Sequence, residues 1–262
     1  MVFYKYHGCG NDFLISNYDN KVDYSNIIPV ICNRKTGIGA DGVMLLERTN
    51  EIIMHFFNAD GSLGAMCGNG IRCFAKYCLD QGIFNSDEFN ITTLAGVKKI
   101  NVITNSDKEL RCTVNLGKAT FKMTVYDKEL INKPIVCLGK EYVVSTLNTG
   151  PNHLVTFCDD VEKITEDEAH ALSYYKEFSD SVNVNFVQVI NDGLKIKTYE
   201  RGVGFTDACG TGASASFVMA NMNGFCANSV KVFYPTGVLK ISYEGTDVIL
   251  EGPAVRVGKV EI

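Results

Sequence analysis

The chain has no stretch approaching the ~20 consecutive apolar residues that a membrane span needs. It has no cluster of lysine and arginine, and a net charge of −5 with a pI of about 5.4 argues against nucleic acid or an anionic membrane surface as partner. Histidine is scarce: His7, His55, His153 and His170 are the only four, and no two stand at ligand spacing. The run Cys67-x5-Cys73-x4-Cys78 fits no zinc or iron–sulfur pattern either, so no metal is expected. The first residues, MVFYKYHGCGND, show no charged region followed by an apolar block. No secretory signal is therefore expected, and the protein is read as cytoplasmic, with its ten cysteines as free thiols in a reducing compartment. No low-complexity linker or charge block interrupts the chain.

What is present is an ordinary globular composition. The 262 residues suffice for one large or two modest domains, and 46% hydrophobic with 21% charged residues allows a sizeable core.

Two stretches stand out. Phe57 to Tyr77 reads FNADGSLGAMCGNGIRCFAKY and places Cys67 before Gly68-Asn69-Gly70; Tyr199 to Met219 reads YERGVGFTDACGTGASASFVM and places Cys209 before Gly210-Thr211-Gly212. They align without a gap, so Asn58 lies nine residues before Cys67 and Glu200 nine before Cys209. Each copy reads as a glycine loop delivering a thiol to the start of a helix. Glycine allows close backbone approach. The first amides of a helix lack partners inside it and carry partial positive charge, which binds an anion such as a carboxylate and raises the thiolate fraction of a nearby cysteine. Two such ends facing each other would grip one carboxylate and set a thiol on each side of the adjoining carbon. One thiolate would take a proton while the other thiol delivers one, which inverts a stereocentre.

Hydrophobic patterning predicts strand–turn–strand over residues 3–18, a short helix over 26–33, a loop over 34–42 and strands at 43–47 and 52–57. A helix after Cys67 runs to about Gln81 with Gly82 as its cap, and three antiparallel strands fill 89–125. Further strands are expected at 135–144, 145–157, 182–190, 194–200, 230–233, 237–243 and 248–251, with helices over 165–173 and from Cys209 to about Asn223. The turn at Gly10-Asn11-Asp12-Phe13 precedes Cys67 at about the distance by which Gly150-Pro151-Asn152-His153 precedes Cys209. The parts repeat in order, so an internal duplication is expected, with domains over 1–116 and 117–253 and the site in the cleft between them. The literal G-x-G-x-x-G at Gly37 to Gly42 is rejected as a dinucleotide site, because a polar loop precedes it and the strand-like VMLLE follows.

These segments resemble the diaminopimelate epimerase family: HGCGNDF (7–13), RKTGIGADG (34–42), FNADG (57–61), MCGNGIRCFAKY (66–77), GPNH (150–153), VNFVQV (184–189) and ERGVGFTDACGTGA (200–213). The resemblance implies an α+β fold of two homologous domains, each a β-barrel-like, mostly antiparallel sheet around a central helix, with residues 254–262 returning to the first domain. It implies a homodimer and amino-acid inversion without pyridoxal phosphate. No Schiff-base lysine can be singled out, and no cofactor is expected. By resemblance, Cys67 and Cys209 are the acid–base pair, and Gly68, Asn69, Gly210 and Thr211 supply the carboxylate cradle. Glu200 holds the α-ammonium and His153 lies near the first thiol. Asn11, Asn58, Asn183 and Arg201 contact substrate. The other cysteines are read as packing.

One departure bears on the substrate. The family usually has Gly-Asn-Pro-His where this chain has Gly150-Pro151-Asn152-His153. Proline offers no side-chain amide to a distal carboxylate, and Asn152 would have to reach from another direction. On that ground histidine is the first expectation for the substrate, diaminopimelate the alternative, and a reversible Cys67–Cys209 redox switch a third reading.

Overall fold

The computed structural model describes residues 1–262. It divides into two compact units, Met1–Asn115 with Glu251–Ile262, and Leu116–Leu250.

In the first unit, β1 (Val2–Gly8) and β2 (Asn11–Asn17) form an antiparallel hairpin. Its two-residue turn, Cys9-Gly10, has φ of 53° and 85°, the pair of positive angles a type I′ turn requires. Helix α1 (Tyr24–Cys32) crosses to β3 (Gly42–Arg48), which runs parallel to β2. β4 (Ile52–Asn58) returns antiparallel, and the two-residue β5 (Leu63–Gly64) pairs back on it. Helix α2 (Gly68–Asp80) follows, then β6 (Glu88–Thr93) parallel to β4, and β7 (Gly96–Asn105) and β8 (Glu109–Gly117) as a meander.

The second unit repeats this order after a first hairpin of β9 (Lys133–Cys137) and β10 (Lys140–Asn148). β11 (Asn152–Phe157) pairs antiparallel with β10, and α3 (Glu166–Ser173), closed by a Thr165–Glu168 capping box, crosses to the parallel β12 (Asn183–Ile190). β13 (Gly193–Glu200) and the short β14 (Gly204–Thr206) precede helix α4 (Gly210–Met222). β15 (Ser229–Tyr234) then runs parallel to β13 and turns into β16 (Gly237–Glu244). The last strand, β17 (Asp247–Glu261), pairs with β1 and β8. Those pairings close eight strands of the first unit into a ring, β17-β1-β2-β3-β4-β6-β7-β8.

The duplication extends to the helix ends. α2 and α4 are 13 residues each, and both stop in the same bonded cap. Gly82 (φ 64°) donates to Leu79 and Ile83 to Cys78; Gly224 (φ 74°) donates to Asn221 and Phe225 to Ala220. This is the Schellman pattern, in which a left-handed glycine supplies the positive φ.

Residues 68–78 of α2 and 210–220 of α4 are buried on all sides. A helix buried all round must satisfy its polar groups internally. Ser214 and Ser216 donate to Gly210 and Gly212 carbonyls four residues back. Arg72, fully buried, donates to the carbonyls of Gly68 and Pro253 and to Asn69 Oδ1.

Several expected boundaries move. α1 begins at Tyr24 rather than 26, because the Asp23 side chain caps it by accepting from Ser25 N. The strands expected to meet at 144/145 are instead cut at two turns, Leu138-Gly139 (φ 51° and 74°) and 149–151, so that β10 runs through both. β8 ends at Gly117 (φ 80°), and 118–132 holds only an isolated bridge, Thr120 to Asn148. Gly252-Pro253 does not interrupt β17, and the Pro253 carbonyl accepts from Arg72 Nε.

Candidate active site

Both cysteines occupy the N-cap position of a central helix. Cys67 has φ −130° and ψ 125°, and its Sγ accepts from Gly70 N at 3.4 Å. Cys209 has φ −126° and ψ 109°, and its Sγ accepts from Gly212 N at 3.3 Å. Serine, threonine, aspartate and asparagine normally fill this position. A sulfur there sits at the positive end of the helix with an N–H aimed at it, the setting that favours thiolate over thiol. Asn69 is buried on the first turn of α2, and Thr211 on that of α4. The amides of Gly68, Asn69, Gly210 and Thr211 thus belong to the turns that offer N–H groups to an anion.

Around Cys67, Asn11 Oδ1 accepts from the thiol at 3.7 Å and from Asn69 Nδ2 at 3.3 Å. Asn11 is itself oriented by Asp41, which takes its amide at 2.7 Å and is held by Arg34 at 2.6 Å. Arg34 also grips Asp12; burial works to raise the pKa of that buried carboxyl, but Arg34 and Lys5 together hold it below the usual range. The loop 34–42 therefore has a definite task, fixing the asparagine beside the thiol. Asn58, opposite Gly42 in the β3–β4 register, closes the β4–β5 turn, donating to Ser62 Oγ at 3.0 Å.

Around Cys209, Sγ lies 3.4 Å from Thr211 Oγ1. Thr149 Oγ1 donates to the Thr211 carbonyl at 3.0 Å and ties the turn before β11 to the helix start. Glu200, at the end of β13, accepts from Thr206 Oγ1 at 2.6 Å. Asn183 Oδ1 accepts from Arg201 N at 2.8 Å, while the Arg201 guanidinium pairs with Asp180 at the surface. Asn152 is engaged by its own loop: its Oδ1 takes Thr124 N and Asn148 Nδ2, each at 3.1 Å, and its Nδ2 donates to Thr124 Oγ1. His153 is fully buried, and desolvation pushes its pKa down to about 3, so the ring is neutral near pH 7.

Burial raises the pKa of each of the other eight cysteines, Cys9, Cys32, Cys73, Cys78, Cys112, Cys137, Cys158 and Cys226. Cys9, Cys32, Cys73, Cys78 and Cys112 are buried, whereas Cys137, Cys158 and Cys226 are part-exposed. Sequence reasoning passed over Asp41, Arg72, Asn185 and Tyr234. Each has a bonding partner distant in sequence: Asp41 meets Asn11, Arg72 meets Pro253, Asn185 meets His153 and Tyr234 meets Cys209.

The family model described as diaminopimelate epimerase matches residues 3–122 and 145–257. The chain is 36% identical to the diaminopimelate epimerase of Alkaliphilus metalliredigens, over 99% of this chain and 96% of that one. It is 38% identical to that of Methanocella arvoryzae, over 100% and 96%. Among solved structures it is similar to a PhzF-family phenazine biosynthesis protein from Bacillus anthracis (TM-score 0.74, 13% identity, 100% and 98% covered). It is also similar to a hydroxyproline epimerase from Agrobacterium vitis (TM-score 0.71, 14% identity, 100% and 90% covered). At those identities the structural likeness is one of fold. With a family match over most of its length and relatives above 30% identity from end to end, the chain belongs to the diaminopimelate epimerase family and is an isomerase of the amino-acid epimerase and racemase class.

Proposed function

We propose that this enzyme inverts the Cα of free diaminopimelate, LL to meso, by two-base proton transfer between Cys67 and Cys209. The observation that carries the chemistry is the pair of capping cysteines, each with a helix N–H on its sulfur. The α-hydrogen of an amino acid is a very weak acid, and without an electron-sink cofactor the developing carbanion must be stabilised by fixed dipoles in a dry site. The first turns of α2 and α4 supply such dipoles to the substrate carboxylate. Glu200 neutralises the α-ammonium. In the forward direction one thiolate removes the α-proton, and the opposite thiol donates its own proton to the other face; the two sulfurs then exchange protonation states. The mechanism requires both sulfurs to reach one carbon. Homodimer formation and a cytoplasmic location remain part of the proposal on the strength of the resemblance.

Support for diaminopimelate over histidine comes from relatives of that name at 34–38% identity. Pro151 is the observation that favours histidine, and Asn152, bonded into its own loop, gives no added ground for either. Turnover measured over LL-diaminopimelate, L-histidine and other free amino acids, with no pyridoxal phosphate added, separates these readings. Fastest inversion of LL-diaminopimelate is expected. Faster inversion of histidine would overturn the substrate. No α-hydrogen exchange with any amino acid, together with a reversible Cys67–Cys209 disulfide, would leave a redox switch instead.

A further inference from the structure

We infer that Asn185 is a positioning residue that holds His153 as its Nε2–H tautomer, so that the imidazole serves the reaction as a hydrogen-bond donor and not as a base. This rests on the reading of the site proposed above.

Asn185 is fully buried on β12 beside β11, where His153 sits. Its Nδ2 lies 3.2 Å from the Leu154 carbonyl and 3.1 Å from His153 Nδ1. The Leu154 carbonyl only accepts, so the nitrogen end of the amide must face it. That same nitrogen then faces His153, and an NH2 group only donates, which makes His153 Nδ1 the acceptor. A neutral imidazole with an accepting Nδ1 carries its proton on Nε2.

The far side of the amide is fixed as well. Asn185 Oδ1 accepts from Thr198 Oγ1 at 3.1 Å, and Thr198 lies 3.5 Å from the Tyr234 hydroxyl, which donates to the Cys209 carbonyl at 2.9 Å. A Cβ on Gly212 would stand 2.2 Å from Asn185 Oδ1, so the amide can approach the first turn of α4 only because residue 212 is glycine. A chain of buried hydrogen bonds thus runs from the capping cysteine to the histidine ring.

The end of that chain is open. His153 Nε2 is the buried side-chain nitrogen or oxygen without a hydrogen-bond partner in the protein. A buried donor left unmet is unfavourable, and its persistence marks a place where an acceptor arrives with the substrate. A substrate carboxylate oxygen has that chemistry.

Long-range 1H–15N NMR of the full-length protein labelled with 15N-histidine tests this, with His153 assigned by its loss in His153→Gln. The wild type is expected to show a protonated Nε2 and a bare Nδ1 near neutral pH. Asn185→Asp replaces the donor with an acceptor and is expected to move the proton to Nδ1, with kcat reduced by about tenfold or more and KM little changed. A wild-type ring protonated at Nδ1, or at both nitrogens, overturns the inference even if the variant does not fold. So does an Asn185→Asp enzyme with a switched ring and unchanged kcat. The spectrum is read without turnover, so it stands or falls separately from the substrate assignment.

Discussion

Replacing Cys67 or Cys209 by serine is expected to lower net inversion by about 10²- to 10⁴-fold, the usual contribution of one general acid–base group, while leaving the fold in place. The separation of the two effects follows from the cap geometry. Serine is among the preferred N-cap residues, and its oxygen can accept from Gly70 N or Gly212 N as sulfur does. Stability in urea should therefore hold or rise slightly. A hydroxyl is far too weak an acid to be ionised near neutral pH, so the base is lost. Cys73→Ser gives the opposite profile. Cys73 is fully buried with its thiol pushed up by desolvation, and a hydroxyl placed there would cost about 1–3 kcal/mol for burial without a partner, with little effect on the chemical step of the folded fraction. Kinetics and denaturation on the three variants check both halves. A Cys209→Ser enzyme with wild-type kcat would remove that thiol from the mechanism.

Gly212→Ala is the second large effect, and here a contact decides the sign. In an exposed helix interior the exchange is worth roughly 1 kcal/mol of stabilisation. At residue 212 the new methyl would lie 2.2 Å from Asn185 Oδ1 and 3.3 Å from its Cγ. That amide is buried and bonded to His153, Leu154 and Thr198, so it cannot swing aside without leaving several groups unmet. Overpacking of about 1–3 kcal/mol plus the broken bonds outweighs the propensity gain. A net loss of about 2–4 kcal/mol is expected in urea denaturation, with inversion impaired in what remains folded. The matched change in the first unit, Gly70→Ala, meets the tip of Met44, Cε at 2.1 Å. A flexible thioether can move, so a smaller loss is expected there. Equal stability of the two variants would contradict the weight given to Asn185.

The sequence exposed the helix starts and the duplication because both are local signals. Cys-Gly-x-Gly before a buried run and Gly82 after it can each be read from neighbouring residues. The closure of the first unit is not local. β17 and β1 pair across nearly the full chain, Val2 with Glu261, and only register between distant strands reveals it. The strand limits near 144/145 were misplaced because hydrophobicity continues through β10, whereas Leu138-Gly139 and Gly150 break it by backbone angle. In the site, a hairpin turn and a helix cap set Asn11 beside Cys67 and Asn69. Asp41 and Asn185 did not announce themselves. Their roles lie in which neighbour's lone pair they meet, and periodicity carries no record of that.

Inversion in D2O, starting from one protiated enantiomer and stopped within the first few per cent of conversion, tests the central claim most directly. With separate sulfurs taking and giving the proton, the product is born with deuterium at Cα while recovered substrate still carries protium. Product that keeps its original hydrogen would show that a single group both removes and returns it, and the two-thiol account would be wrong.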